Sequence, residues 1–206
     1  MIERGFGVWA VILLLAGPAS YSQIQPDRLQ QQISQGRFGE AAKELQQIVL
    51  QTGPVLKKPT PAQAKVLRGA IERTRSFLNE KHPVPERNAA RQVLCLSRAF
   101  SPEDLPGLLQ NAQRVGAGTQ RPELIGEPVH RNPPAARVLG TVILEVIIDQ
   151  EGCARHPRVL KGVTSGVDDA ALAAVQSWTF QPATRDGKIV AVYYILSVMF
   201  HPGDPG

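Results

Sequence analysis

The order of patterned segments in the last third of the chain constrains its fold more than any other feature. Thr141 to Asp149 alternates, with Val142, Leu144, Val146 and Ile148 on one face and Thr141, Glu145 and Asp149 on the other. Ile143 and Ile147 leave that second face partly apolar, so the segment reads as a half-buried strand. Asp149-Gln150-Glu151-Gly152 has turn chemistry, and Gly152 supplies the positive φ of a bulged hairpin. Arg155 to Val163 returns as a more polar strand, and Pro157, which cannot donate to a ladder, places it at an edge. Ser165 to Asp169 then opens a helix with carboxylates in its first turn. Val167, Ala171, Ala174, Val175 and Trp178 give that helix an apolar face with many small residues, so its backbone can lie close to a sheet. Pro182 ends it, and Asp186-Gly187 turns the chain into a long strand, Ile189 to Phe200. The fold class is therefore α+β, with a β-β-α-β unit and a three-stranded antiparallel sheet in the order second, first, last.

That order leaves the last strand with an open edge. Val190, Val192, Tyr194, Leu196, Val198 and Phe200 share one face of it; Ala191, Tyr193, Ile195 and Met199 share the other. Edges are usually blunted by charge or proline, and neither occurs between Val190 and Phe200. An extended peptide can add to such an edge, bound by main-chain hydrogen bonds and selected by alternating side chains. The candidate partner-binding residues are thus Val190, Ala191, Val192, Tyr193, Tyr194, Ile195, Leu196, Ser197 and Val198. The competing arrangement closes this edge with a second copy of the chain or with the preceding Pro-rich segment.

The upstream sequence has a different texture. Val8 to Gly17 is an apolar run of ten residues behind Arg4, followed by the small residues Ala19, Ser20 and Ser22. It falls short of the ~20 residues of a membrane-spanning helix, and 1–22 reads as a cleaved secretory signal, with an uncleaved inner-membrane anchor as the other reading. Region 27–115 reads as all-helical. Leu29, Ile33, Phe38, Ala41, Ala42, Leu45, Ile48 and Val49 recur at helical spacing around Gly36; Val66, Leu67, Ala70, Ile71, Thr74 and Leu78 form one stripe, and Ala89, Val93, Leu94 and Leu96 another. Gly36 to Pro54 resembles the later half of a tetratricopeptide repeat, but no second copy follows, so it reads as an ordinary helix-turn-helix. Ser101-Pro102-Glu103-Asp104 predicts the start of a short helix over Leu105 to Val115. A linker is expected at 116–126 and the C-terminal domain at 127–202.

The net charge of +5 is uneven. Gln23 to Gln120 carries fourteen Lys and Arg against eight Asp and Glu, whereas Arg121 to Gly206 carries eight against nine. The basic excess of the helical region reads as a solvated face, with weak contact to an anionic membrane surface as the alternative. Nucleic acid is excluded as a partner by export and by the absence of interleaved aromatic and basic residues. Export also lets Cys95 and Cys153 pair, adding ~3 to 4 kcal/mol if they do, while two unpaired thiols remain the plainer reading.

No enzyme chemistry is expected. Cys153-Ala154-Arg155-His156 is half a metal site at most, and His82, His130 and His201 are dispersed. Glu151 and the Asp168-Asp169 pair are explained by a turn and a helix start. No nucleophile elbow, phosphate loop or dinucleotide fingerprint is present. No catalytic residue, cofactor or metal is assigned.

A family resemblance gathers these pieces. Pro128-Val129, Ala135-Ala136-Arg137, Gly140-Thr141-Val142, Asp149 to Gly152, Val159-Leu160-Lys161-Gly162, Val167-Asp168-Asp169-Ala170-Ala171, Ala174-Val175, Trp178-Thr179-Phe180-Gln181-Pro182-Ala183, Gly187 and Val198-Met199-Phe200 occur in the order of TonB-type energy transducers. Glu127 to Pro202 resembles the C-terminal domain of that family. The resemblance implies a periplasmic domain whose last strand pairs with a segment presented by an outer-membrane receptor, transmitting proton-motive force as a pull. This chain departs from the family in the short apolar run, in prolines that punctuate helices rather than build a long spacer, and in Val129-His130-Arg131-Asn132-Pro133-Pro134 where Tyr-Pro is usual. The expected function is a periplasmic module that binds an outer-membrane receptor or other envelope protein by strand addition. The alternative is an envelope scaffold acting through its helical region, with the sheet edge closed in a homodimer.

Overall fold

The computed structural model describes residues 25–52, 59–100, 105–126, 128, 130 and 140–201. The expected signal segment, the helix start at Ser101 to Asp104 and most of the approach to the first long strand lie outside the described residues.

Among the described residues five helices come first: α1 (Pro26–Ser34), α2 (Phe38–Thr52), α3 (Pro61–Leu78), α4 (Val84–Ala99) and α5 (Leu105–Asn111). Their apolar stripes meet in one core of Leu29, Ile33, Phe38, Leu45, Val49, Leu67, Val93 and Leu96. Most residues read as periodic in the sequence are buried, with Val66, Leu78 and Ala89 partly buried against the same core, because a stripe at 3.6-residue spacing is useful only when another helix covers it. Thr60 and Gln63 form a reciprocal capping box at the start of α3, with Pro61 in the first turn. At the end of α3, Phe77 stacks on His82 at a ring separation of 3.6 Å.

The second core belongs to a four-stranded sheet and one helix. β1 (Gln113–Arg114), β2 (Thr119–Gln120) and β3 (Glu123–Leu124) are short; β4 (Gly140–Ile148) and β5 (Ala154–Lys161) form the long hairpin. α6 (Ser165–Ser177) follows, then β6 (Phe180–Gln181), β7 (Ala183–Arg185), β8 (Lys188–Val190) and β9 (Val192–Phe200). The main sheet has the order β1-β9-β4-β5, with β9 antiparallel to β4 from Ile148↔Val192 to Gly140↔Phe200. Val142, Leu144, Val146 and Ile148 turn inward against Val167, Ala171, Ala174 and Val175 of α6. α6 also contacts α2 and α4, so its small residues serve two close approaches, one to the sheet and one to the helical region.

Four expectations are corrected. The sheet has a fourth strand, because Gln113 and Arg114 pair in parallel with Val192 and Tyr193. The helix expected over Leu105 to Val115 ends at Asn111, since a backbone that joins a sheet edge cannot continue as helix. The stretch expected as a linker, 116–126, is drawn into the C-terminal domain: β2 pairs with β7 and β3 with β6. Finally, the long strand Ile189 to Phe200 is broken at Ala191. Asp186 and Gly187, both at positive φ, close a two-residue hairpin between β7 and β8, so Val190 pairs with Ala183 in a different sheet.

β5 does lie at the far edge of the sheet. Its proline is absorbed by a bulge: the register jumps between Glu145↔Arg158 and Ile147↔Arg155, with His156 at φ 49° beside Pro157.

The hairpin tip carries the strongest constraint. Cys95 of α4 and Cys153 are joined by a disulfide that spans 58 residues of sequence, and both are buried. Gly152 sits at φ 87°, and a Cβ there would lie 1.9 Å from the carbonyl oxygen of Phe180. That proximity exists because the Phe180 amide donates to the Gly152 carbonyl at 2.8 Å. Glycine is required at this position twice, by conformation and by space.

Gly152→Ala is expected to destabilise the protein by more than about 2 kcal/mol, the left-handed penalty adding to the clash with Phe180, as read by denaturant unfolding. Replacing both cysteines, Cys95→Ala with Cys153→Ala, is expected to cost about 3 to 4 kcal/mol against the oxidised protein in the same measurement. A loss below about 1 kcal/mol would show that the helical region stays on the hairpin without the covalent tie.

Candidate functional site: the edge of the last strand

The side of β9 away from β4 is the candidate binding edge. β1 occupies it opposite Val192 and Tyr193, and the Gln113 amide donates to the Ala191 carbonyl at 2.9 Å. From Tyr194 to Phe200 no strand pairs with this side among the described residues. Of the nine candidate partner-binding residues, Val190 is committed to β7, Ala191 and Val192 are buried with their edge taken, and Tyr193 faces β1. Tyr194, Ile195, Leu196, Ser197 and Val198 remain on the open length, and Met199 and Phe200 extend it.

The two faces of that length differ. Val198 and Phe200 are buried in the core that Tyr194 and Leu196 partly join. Outward, Ile195 and Met199 are 57% and 54% exposed, an apolar pair beside an unfilled ladder. His130 lies edge-on to Phe200 with ring centroids 5.1 Å apart, at the end of the strand.

A charged cluster marks where the open edge begins. Glu145 is outward-facing on β4 yet only 4% exposed, opposite Ile195 in the register. Its Oε1 accepts from Arg114 Nη1, and its Oε2 accepts from Arg158 Nε at 2.8 Å and Nη2 at 2.5 Å. The Arg114 guanidinium reaches Glu145 by passing over the Tyr193 ring, 4.7 Å from its centroid. Burial pushes the Glu145 carboxyl up, but the hydrogen bonds from Arg158 and Arg114 outweigh it and hold the group below its ordinary value. The alternation of β4 in the sequence placed Glu145 on this face and the hairpin brings Arg158 opposite it; Arg114 comes from β1, whose pairing the sequence does not display.

A second cluster joins the helical region to the hairpin tip. Arg75 of α3 grips Glu151 with Nε and Nη2, at 2.5 and 3.1 Å, and Arg98 of α4 pairs with both Glu151 and Asp149. Asp149 Oδ1 also accepts from the amides of Glu151 and Cys153, at 2.9 and 3.0 Å. Glu151, expected only to serve a turn, is also the anchor of the helices. Asp168 behaves as a helix-start carboxylate should, accepting from the Val163 amide at 2.8 Å.

Among the described residues there is no group of three or more His, Cys, Asp and Glu that could hold a metal, and no helix long and apolar enough to cross a membrane. A groove of about 800 Å³ between α1 and α3 is lined wholly by the helical region, including Phe38, Val66, Arg73 and Phe77, and contributes nothing to the β9 edge.

An antiparallel hairpin, one helix behind it and a last strand whose outer side is paired only at Val192 and Tyr193 among the described residues define a small α+β domain. Residues 134–202 match the family model for the Gram-negative bacterial TonB protein C-terminal region, so this part of the chain is a TonB C-terminal domain. No curated protein and no solved structure matches the chain.

The paired Glu145 carboxylate adds stability that is complete above its unfolded value of ~4.3 and is lost as pH falls through its lower folded value. Glu145→Gln is therefore expected to flatten the acid limb of stability below about pH 4.3, where wild type loses stability more steeply, as followed by thermal unfolding across pH.

Proposed function

We propose that this protein acts in the periplasm as a TonB-like energy-transducing partner, binding an outer-membrane receptor or another envelope protein by β-strand addition to β9. A TonB C-terminal domain implies an energy-transducing, receptor-interacting role, and that family acts in the periplasm. The observation that carries the reading to this chain is the side of β9 from Tyr194 to Phe200, unpaired among the described residues, with the apolar side chains of Ile195 and Met199 on its outer face. The arriving segment gains backbone hydrogen bonds along a ladder whose other side is already fixed by β4. The helical region, tied to the hairpin by Cys95–Cys153 and by Arg75 and Arg98, would move as one body with the domain under load.

Ile195→Pro is expected to abolish capture of peptides copying receptor segments exposed to the periplasm, measured by fluorescence anisotropy. Because a proline there also strains the pairing with β4, Ile195→Lys is the companion variant. It keeps the ladder and is expected to weaken capture only a few-fold, the size of one lost cross-strand apolar pair, ~0.2 to 1 kcal/mol. Unaltered capture in both variants would remove strand addition at this edge. An obligate dimer by light scattering that Ile195→Pro converts to monomers would instead assign the edge to self-association.

A further inference from the structure

We propose that β1 is a fixed stop on the binding edge, so that the partner accepted is a short extended segment confined to Tyr194–Phe200, with apolar side chains set against Ile195 and Met199. The inference rests on the strand-addition reading above and specifies the length and chemistry of what is bound.

Two residues of parallel pairing would be a weak obstacle by themselves, but this pair is anchored from three directions. The Gln113 amide is bonded to the Ala191 carbonyl, and the Gln113 side chain accepts from Arg185 Nη1. The Arg114 carbonyl accepts from Arg185 Nη2 at 2.9 Å, while Arg185 Nε holds Thr119 Oγ1 at 3.0 Å. The Arg114 side chain is bound to the buried Glu145 and lies over Tyr193. A displaced β1 would leave Glu145 with one arginine instead of two and would free the guanidinium of Arg185, so displacement carries a cost that an unanchored strand would not.

Direction matters as much as anchoring. β1 runs parallel to β9, so its continuation would track the edge past Tyr194. Instead the chain leaves after Arg114 and turns, with the Thr119 amide donating to the Gly116 carbonyl at 3.1 Å, to enter β2 against β7. Among the described residues the edge is thus filled up to Tyr193 and vacated from Tyr194 onward. At ~3.4 Å per residue, the length from Tyr194 to Phe200 is roughly 20 Å. Side chains of an added strand that point inward would continue the row of Leu196, Val198 and Phe200; those that point outward would cover Ile195 and Met199. Both sets of positions call for apolar or β-branched residues, and a longer ordered segment gains nothing.

The test has one arm without a partner and one with it. In the unbound full chain, hydrogen exchange is expected to show the Gln113 amide protected and Arg114→Ala to remove much of that protection. A wild-type Gln113 amide exchanging at the rate of free chain would overturn the stop. In the second arm, receptor-segment peptides are compared at full length and trimmed to the span of Tyr194–Phe200. Wild type is expected to bind both equally. Gln113→Pro, which lacks the amide that bonds Ala191, is expected to favour the longer peptide by about tenfold, the equivalent of one or two added backbone hydrogen bonds. A wild-type preference for the longer peptide, or no change in the ratio in Gln113→Pro, would overturn the stop while leaving strand addition intact wherever Ile195→Pro still abolishes capture. Absence of binding by any peptide to wild type and variant alike counts against strand addition itself and against this inference with it.

Discussion

The tip of the β4–β5 hairpin is the point on which the rest of the structure depends. Within five consecutive residues, Asp149 to Cys153, it takes a disulfide from α4, ion pairs from α3 and α4, and a backbone bond to the segment that follows α6. Each of these needs the others. The Gly152 carbonyl can accept from Phe180 only because Gly152 has no side chain, and the same close approach seats Cys153 where Cys95 reaches it. Arg98, nearly buried, is tolerated there because two carboxylates face it. A helical region and a sheet domain that could have been separate bodies are thereby one.

That union positions the edge of β9. With α6 held between the sheet and α2 and α4, the two edges of the sheet differ: β5 forms one with a proline and a bulge that hinder further pairing, and β9 forms the other beyond β1 among the described residues. The chain fills part of the remaining side with its own β1 and secures it with charge. Long apolar edges invite uncontrolled pairing, and shortening the open length is one of the ways a protein limits that hazard. The Arg114–Glu145–Arg158 cluster places an obligatory ion pairing where the open edge starts and leaves the apolar pair Ile195 and Met199 beyond it.

Local signals in the sequence carried far in this chain where the physics is local. Alternation in β4 and β9 gave the inward rows correctly, helical spacing gave the buried stripes of α1 to α4, and turn chemistry located Gly152 and Asp186-Gly187. The pairing of the last long strand with the first was legible from the order of elements, but the pairings of the short segments were not. Gln113-Arg114 and Thr119-Gln120 are two-residue strands with no alternation to detect, formed only because β9 and β7 offer them an edge. For the same reason Glu151 looked like a turn residue, and Arg75 like a member of a solvated basic face.

The sequence by itself determined the β-β-α-β order, the sidedness of each strand and the family resemblance, because these depend on residue type and on spacing within one element. The tertiary structure alone decided that Cys95 meets Cys153, that the expected linker is woven into the sheets, and that among the described residues the last strand is unpaired on its outer side from Tyr194 onward. Those outcomes depend on which distant backbone edges and charges come to lie side by side, a property of the packed chain that no single segment encodes.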